Sequence, residues 1–314
     1  MENIDNKIIA SIIVASYNGQ ITIKETINSL LAQEYRNIEV IVVDDGSTDD
    51  SAEIIKSFND ERVFFLSQKN CGSPAAPRNK GIEVAKGEFV GFCDQDDLYY
   101  ANKLKKQIEV YNESDKKNEV GIIISSADLI NELGQIIDHN IKPFEGYTDC
   151  KSAHRLLLKG DVITACSALV PKKILDDVGY LDESLVGVDD YDLWLRITEK
   201  YGILTIKEPL CAWRQSASSL SANKTKQYIE TEKIFLKLKD RSEEIRVGHG
   251  KNLMRIFIPL VLEKEFNEAK KYRGMIDKYP VSTKMGILIK TFDLSNALSY
   301  YQLCFLKKIG KVSL

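Results

Sequence analysis

Three aspartates within four positions end an apolar run in the first third of the chain. The run Phe89–Cys93 is followed directly by Asp94, Asp96 and Asp97. Short apolar runs between turn signals are typical of buried strands, so we expect these acids where a strand leaves the sheet. Two carboxylates about 4 Å apart repel by roughly 4 kcal/mol at an effective dielectric constant near 20, unless they point apart into water or share a cation. Because Mg²⁺ and Mn²⁺ prefer oxygen ligands, the pattern predicts either a metal site or a solvated loop that caps the next helix, residues 102–111.

The bulk composition is that of a folded protein, and it argues against a disulfide framework, a zinc site and a membrane-spanning helix. The chain has 314 residues, of which 44% are hydrophobic and 28% charged, enough for one large domain or two ordinary ones. Its six cysteines include no C-x-x-C pair, which favours a reducing cytoplasm over a disulfide framework or a zinc site. We expect no signal peptide, because the N-terminus lacks a basic and apolar leader, and no membrane-spanning helix, because no stretch reaches 18 apolar residues.

Charge is distributed unevenly along the chain. Residues 222–314 contain 19 lysines and arginines against 10 aspartates and glutamates, a net of +9, whereas residues 1–221 have a net charge of −12. This asymmetry indicates two functional parts with different partners. We therefore expect two parts, one over residues 1–221 and a basic region over residues 222–314.

Apolar, β-branched runs alternate with helical patterns through the first half of the chain. Buried strands are expected over Ile8–Val14, Ile38–Val43 and the run that ends at Asp94, and further strands over Val63–Leu66 and Val120–Ser125. Helical spacing of apolar residues falls between them, including a helix over residues 78–86. Such alternation predicts an α/β fold with a mostly parallel sheet flanked by helices.

Polar clusters follow three of these strands, at Ser16–Asn18, Asp44–Ser47 and Asp94–Asp97. Ligands gather at the carboxyl ends of parallel strands, so we expect the three clusters to form one site. Neither G-x-G-x-x-G after the first strand nor a P-loop motif is present, which argues against a nicotinamide enzyme or a P-loop ATPase. The polar stretch Asp128–Thr148 is predicted to be irregular and, with the segment around Cys166-Ser167, to line the side of this site where a second substrate would bind.

Four motifs in order resemble those of the family 2 glycosyltransferases, which carry the nucleotide-sugar-binding fold called GT-A. The motifs are Ser11–Asn18 (SIIVASYN), Val42–Ser47 (VVDDGS), Gly87–Asp97 (GEFVGFCDQDD) and Asp189–Arg196 (DDYDLWLR). The pair Arg78-Asn79 also fits the pair that commonly precedes the metal motif. The resemblance covers roughly the first 220 residues and implies a GT-A catalytic domain.

The resemblance implies nucleotide-binding roles for five of these residues. Asp45 would hydrogen-bond the uracil of a UDP-sugar, and Tyr17 would stack near that base. Ala15 would line the base pocket, where many members have proline or threonine. Arg78 would approach the nucleotide or its phosphates, and Asp94 would contact the ribose or the donor sugar.

The resemblance also implies the metal site and the base. Asp94-Gln95-Asp96 resembles the D-x-D motif, so Gln95 would lie in the donor site, and Asp96 with Asp94 would bind a Mn²⁺ or Mg²⁺ ion at the diphosphate. Asp97 would shape the turn. Asp190 matches the catalytic base, because transfer with inversion requires a carboxylate to take the proton of the attacking acceptor hydroxyl. The structural alternative for Asp190 is a favourable charge at a helix N-terminus, and both roles can hold together.

Two positions depart from the family pattern. Asp189 replaces the more usual glutamate before the base. Ser216 stands where many members have a histidine that completes the metal shell. The missing histidine would have to be replaced as a ligand by water, by Ser216 itself or by a residue of the loop 218–223. Otherwise this protein would bind the metal with low affinity.

The basic region is predicted to be helical from Thr225 onward, and the sequence leaves open which partner this region contacts. A dense apolar helix is expected to be interrupted by Pro259, and a last helix to carry Leu294, Leu298, Tyr301 and Phe305, followed by lysines 307, 308 and 311. This region would pack on the catalytic domain or on a second copy of the chain, or it would meet an anionic membrane surface. Nucleic acid is not an expected partner, because many acids are interspersed.

We therefore expect an inverting, metal-dependent hexosyl- or N-acetylhexosaminyltransferase. It would move a sugar from a UDP-sugar to a saccharide or lipid-linked saccharide in the building of a bacterial surface polysaccharide. Its location would be cytoplasmic, on the inner face of the membrane if the basic region binds lipid. A sugar-nucleotide pyrophosphorylase would need a glycine- and arginine-rich loop after the first strand, which is absent. A catalytically inactive, membrane-associated assembly subunit remains the alternative, because of Ser216.

Overall fold

The protein forms two compact units, residues 1–154 with 162–222 and residues 155–161 with 223–314. The computed structural model describes residues 9–304, apart from 143, 217–218, 220–221, 240, 281–288, 294, 297–298 and 301. The first unit holds a ten-stranded sheet flanked by helices, and helices make up the described part of residues 223–304.

The strands are β1 (Ala10–Ser16), β2 (Ile38–Asp44), β3 (Val63–Ser67), β4 (Phe89–Asp94), β5 (Leu98–Tyr99), β6 (Val120–Ile130), β7 (Ile136–Asn140), β8 (Gly146–Thr148), β9 (Leu169–Pro171) and β10 (Gly202–Arg214). The helices are α1 (Ile23–Leu31), α2 (Ser51–Lys56), α3 (Ala75–Val84), α4 (Lys103–Glu113), α5 (Cys150–Leu157), α6 (Lys172–Val178), α7 (Asp189–Thr198), α8 (Lys224–Leu238), α9 (Glu243–Leu262) and α10 (Phe266–Ile276).

The strand order is β3-β2-β1-β4-β9-β6-β10-β5, with β7 paired to β6 and β8 paired to β10. Strands β1 to β4 are parallel to one another where they pair, and β6 is parallel to β10. The short strands β5, β7, β8 and β9 pair antiparallel. The α/β fold with a mostly parallel sheet is thus confirmed. The β-branched runs of β1 and β2 are buried along their whole length, apart from half-buried Ala15, which explains why the sequence marks them clearly.

The prediction that Asp128–Thr148 is irregular is wrong. Strand β6 continues to Ile130, and the segment then forms β7 and β8. A tight turn at residues 131–134 joins β6 to β7, with Gly134 at φ +77°. Because β7 lies off the main strand order and four of its five residues are exposed, it lacks the apolar alternation that identifies a half-buried strand.

Helix α3 also begins earlier than predicted, at Ala75 rather than Arg78, and ends at Val84. The prolines of this segment caused the difference, because Pro74 and Pro77 suggested a loop. A proline is tolerated in the first turn of a helix, where its missing N–H has no intrahelical acceptor. Arg78 therefore projects from the body of a helix.

The helices of residues 223–304 share a second apolar core. Helix α9 packs on both α8 and α10, with Phe257 and Val261 fully buried. Pro259 does not interrupt α9, contrary to the prediction, since the helix runs on to Leu262. Leu236, an apolar position in the predicted helix, is 57% exposed. Three positions of the predicted last helix (294, 298 and 301) and all residues after 304 lie outside the described residues. In the part that the structure describes, no helix has both the length and the apolar character needed to cross a bilayer.

Candidate active site

The three polar segments after β1, β2 and β4 lie side by side. Strand β1 is the middle one, with Ser16 aligned to Asp44 of β2 and Ala15 aligned to Asp94 of β4. Parallel register brings the carboxyl ends of the three strands to the same edge of the sheet. The sequence-based expectation of one polar edge is therefore met.

Gln95 ties the segment after β1 to the acidic turn. Its Oε1 accepts from the Tyr17 backbone N–H at 2.8 Å and from the Ser16 hydroxyl at 3.1 Å, while its Nε2 donates to the Tyr17 carbonyl at 3.0 Å. A Cβ at Gly19 would lie 2.3 Å from Gln95 Oε1, so a larger residue there would displace the Gln95 side chain. Tyr17 keeps its ring 46% exposed at the rim.

Asp45 is buried at the end of β2 and has several hydrogen-bond donors around it. Its Oδ1 accepts from Gln68 Nε2 at 2.7 Å, and its Oδ2 accepts from the Cys71 backbone N–H at 3.1 Å. The Cys71 thiol lies 3.3 Å from the same oxygen. The loop after β3 thus fixes the carboxylate that the family resemblance assigns to base recognition.

The acidic turn is fixed at its far end by a buried arginine. The Arg214 backbone N–H donates to Asp97 Oδ1 at 2.9 Å, and its Nε donates to the Asp96 carbonyl at 2.7 Å. The same guanidinium reaches Glu25 of α1 at 2.7 Å. Asp97 is buried and its backbone N–H donates to the Asp94 carbonyl, so it shapes the turn as expected.

Asp96 has the chemistry of a cation ligand. Burial, together with the charge of Asp94, raises the pKa of Asp96 to about 6. A divalent cation beside both carboxylates would relieve this repulsion. Among the described residues, no group of three or more His, Cys, Asp or Glu side chains is arranged as a metal site. Two carboxylates nevertheless fit a Mg²⁺ or Mn²⁺ ion whose remaining ligands are phosphate oxygens and water.

Arg78 lies between two carboxylates. Its Nη1 donates to Asp189 Oδ2 at 2.8 Å, and its Nη2 donates to Asp94 Oδ1. Burial alone would lower the pKa of this guanidinium, but the charges of Asp94, Asp189 and Asp190 raise it. The side chain is only 6% exposed. Each terminal nitrogen of Arg78 therefore donates to a protein carboxylate.

Asp190 lies in the first turn of α7, directly after Asp189. Its Oδ1 accepts from the Tyr191 backbone N–H at 2.8 Å, and the residue is half-buried. Leu193, Trp194 and Ile197 of α7 are buried in the core, as expected. Because one guanidinium contacts Asp94 and Asp189 and is also influenced by the charge of Asp190, the acidic turn and the start of α7 belong to one site.

The segment around Cys166-Ser167 does not line this site, contrary to expectation. Both residues are buried, at 1% and 0% exposure, in a short 3₁₀ turn. The Ser167 carbonyl accepts from Gln107 Nε2 at 2.9 Å, and Cys166 Sγ lies 3.7 Å from Cys211 Sγ. This segment belongs to the core beneath the acidic turn.

Sequence reasoning missed Arg214 and Gln68. Neither residue lies in one of the four sequence motifs. Both act through residues far along the chain, Asp96 and Asp45 respectively. Ser216, in the position of the absent histidine, is half-buried two residues after β10 ends.

The central sheet and its flanking helices have the GT-A fold. A solved structure of Staphylococcus aureus TarS, residues 1–349 with UDP-GlcNAc, aligns over 98% of this chain and 93% of its own, with a TM-score of 0.72 and 19% identity. At that identity the match defines the fold.

The sequence comparisons define the family. The model for glycosyl transferase family 2 matches residues 11–179, more than half of the chain. The chain belongs to glycosyl transferase family 2, and it is a glycosyltransferase.

Two curated relatives show how far the similarity extends. An uncharacterised glycosyltransferase of Rickettsia conorii is 40% identical over 194 residues, 60% of this chain, although this chain spans only 31% of that protein. The Escherichia coli enzyme WfaP, named a UDP-Glc:α-D-GlcNAc-diphosphoundecaprenol β-1,3-glucosyltransferase, is 33% identical over 231 residues, 72% of this chain and 85% of its own.

Proposed function

We propose that this glycosyltransferase moves a hexose or N-acetylhexosamine from a UDP-sugar to a saccharide linked to a polyprenyl diphosphate, with inversion at the anomeric carbon. The named activity of WfaP supports the donor and the lipid-linked acceptor. Such acceptors are intermediates of surface polysaccharides, which is the context we propose for this chain. The basic region, net +9, would attract the enzyme to the anionic membrane surface that holds the acceptor.

We base the assignment of the site on one contact. A single guanidinium, that of Arg78, holds both Asp94 of the D-x-D motif and Asp189, the residue before the base. A carboxylate that would serve the donor and the residue next to the proposed base therefore contact the same side chain. This contact supports a single site in which the donor sugar would lie near both the diphosphate-binding turn and the base.

Each residue then has a defined part in the transfer. Asp45 would accept from the uracil N3–H, with Tyr17 and Ala15 beside the base and Gln95 holding the backbone of that loop. Asp190 would take the proton of the acceptor hydroxyl as that oxygen bonds to the anomeric carbon and the bond from that carbon to the diphosphate breaks. Asp94 and Asp96 would hold a Mn²⁺ or Mg²⁺ ion, which supplies Lewis-acid stabilisation of the leaving diphosphate.

A donor screen by release of UDP tests the function. The wild type is assayed with UDP-glucose and UDP-N-acetylglucosamine, with Mn²⁺ or EDTA, and with a polyprenyl-diphosphate-linked sugar as acceptor. We expect Asp190→Asn to lower kcat by about 10³-fold while UDP binding is retained, because only the general base is lost. We expect Asp96→Ala to lower kcat by about 10²-fold and to remove the dependence on Mn²⁺.

Asp192→Asn is the matched control. Asp192 lies in the same turn of α7 but pairs with Arg196 at 2.8 Å. We expect its kcat to stay within about threefold of wild type. Full activity in Asp190→Asn would remove the assigned base. Absence of turnover in the wild type with every donor, metal and acceptor would favour the inactive assembly subunit.

A further inference from the structure

The ion pairs of Arg78 join two segments that are distant in the sequence. Asp94 ends β4, whereas Asp189 begins α7, nearly one hundred residues later. Asp94 is 41% exposed on its side chain, so it faces the open edge of the sheet while Arg78 holds its Oδ1 from behind. Asp189 is fully buried. The Arg78 side chain therefore links an exposed carboxylate of the proposed donor site, Asp94, to a buried carboxylate in the first turn of α7, Asp189.

Asp189 depends on Arg78 for its charge balance. Its Oδ2 receives the Arg78 Nη1 hydrogen bond at 2.8 Å, and its Oδ1 is buried without a hydrogen-bond partner among the described residues. An ionised carboxylate that is removed from water needs a paired cation. Without Arg78, the first turn of α7 would lose the contact that fixes Asp189, and Asp190 is the next residue.

The acidic turn has a second arginine that does not reach α7. Arg214 holds the Asp96 carbonyl and Asp97 from β10, and its other hydrogen bonds go to Glu25 and to the turn after β6. Two buried arginines thus hold the same turn from opposite ends. Of these two arginines, Arg78 is the one that joins the acidic turn to α7, the helix that carries the proposed base Asp190. This difference separates the two roles experimentally.

We propose that Arg78 is a positioning residue that holds the donor-binding turn and the catalytic base at a fixed separation, and that it is not a ligand of the nucleotide. This rests on the proposed function for the identity of the base. A planar, bidentate guanidinium suits this task, because its two terminal nitrogens engage two carboxylates in fixed directions. A lysine has one ammonium on a flexible stem and cannot hold both carboxylates in the same geometry.

Hydrogen exchange of the unliganded protein is the first test, and it needs no turnover. We compare Arg78→Lys, Arg214→Lys and Asp189→Ala with wild type. In Arg78→Lys, we expect exchange to rise by at least fivefold both at the acidic turn and at the start of α7, in peptides that cover residues 94–98 and 189–194. In Asp189→Ala only the α7 peptide should change, and in Arg214→Lys only the peptide of the turn.

An unchanged α7 peptide in Arg78→Lys would overturn the coupling. A uniform rise across all peptides of the chain would also overturn it, because Arg78 would then act only on global stability. These outcomes are readable even if the donor is not a UDP-sugar. Failure of the proposed function, seen as absent wild-type turnover, is therefore distinguishable from failure of this inference.

Kinetics at saturating donor is the second test. A misplacement of about 1 Å can cost about 10²-fold in rate, so we expect Arg78→Lys to lower kcat by about 10²-fold. Its Kd for UDP should rise less than fivefold, whereas Asp192→Asn, on α7 but paired with Arg196, should leave both kcat and Kd within about threefold of wild type. A tenfold or greater rise in the Kd for UDP of Arg78→Lys with unchanged kcat would instead make Arg78 a nucleotide ligand.

Discussion

Carboxylates are buried at both ends of the parallel strands, but the two ends differ in the hydrogen-bond partners that these carboxylates have. At the amino end, Glu39 of β2 is 2% exposed, and its Oε1 accepts from the Ser11 hydroxyl at 2.5 Å and the Lys86 backbone N–H at 2.6 Å. Ser11 in turn accepts from the Gly87 N–H at 2.8 Å. This network joins the starts of β1, β2 and β4, and its donors all come from the protein.

At the carboxyl end, the buried acids keep unused acceptor capacity. Asp44 Oδ1 and Asp189 Oδ1 are buried and have no hydrogen-bond partner within the described residues. Burial raises the pKa of Asp189, and the charge of Arg78 opposes that rise. Buried polar groups in native proteins are normally paired, so each of these two oxygens has room for a further hydrogen-bond donor or a cation. Within the described residues, the amino end of the sheet thus completes the hydrogen bonds of its buried Glu39 Oε1, whereas the carboxyl end leaves two carboxylate oxygens unpaired.

The largest expected effect comes from a substitution at the amino end of the parallel strands, where the protein supplies hydrogen bonds to the buried acid. Glu39→Ala removes two hydrogen bonds to a charged acceptor and leaves the Lys86 N–H unpaired, so we expect a loss of about 3 kcal/mol in the free energy of unfolding. Urea unfolding measures it, with Glu53→Ala on the exposed face of α2 as the control. The Kd for UDP of the folded variant should stay unchanged. A normal stability with weakened UDP binding would reverse the assignment of the two edges.

A buried lysine beneath the acidic turn gives the second test. Lys103 of α4 is fully buried, with its Nζ 2.7 Å from Gln107 Oε1 and 4.1 Å from the centre of the Tyr99 ring. Burial lowers the pKa of Lys103 from its ordinary 10.5 to about 8. Above pH 8 the folded protein releases this proton while the unfolded chain retains it, so this group makes stability rise with pH.

We therefore expect wild type to gain about 2 kcal/mol relative to Lys103→Met between pH 8 and pH 9.5. Taking the difference between the two proteins cancels the titration of groups that they share. Urea unfolding at several pH values measures it, with Lys105→Met as the exposed control on the same helix. A constant difference across this range would mean that Lys103 is protonated throughout and has a stabilising partner.

The features that the sequence predicts well are those determined locally. The runs that form β1, β2 and β4 are apolar and bounded by turn residues, so both the strands and the polar segments after them follow from pattern alone. The hydrogen bonds that complete the site are not local. Arg214 lies 118 positions from Asp96, and Arg78 lies 111 positions from Asp189. No spacing rule connects such residues, and only the folded sheet brings them together.

The smallest expected effect concerns the base pocket and tests whether the carboxyl edge is open to ligands. Asp45→Asn leaves one oxygen to accept from Gln68 or Cys71 but removes the charge that would receive the uracil N3–H. Loss of one charge-assisted hydrogen bond is worth about 1.4 kcal/mol, so the Kd for UDP should rise about tenfold. Calorimetric titration measures it.

Asp49→Asn is the matched control at the same edge, because Ser51 and the Gln20 N–H already engage both oxygens of that carboxylate. Equal weakening in both variants would mean that the loops respond as a unit and that Asp45 does not read the base. A selective loss in Asp45→Asn, with unfolding free energy within about 1 kcal/mol of wild type, would separate a ligand-binding carboxylate from a structural one on the same edge.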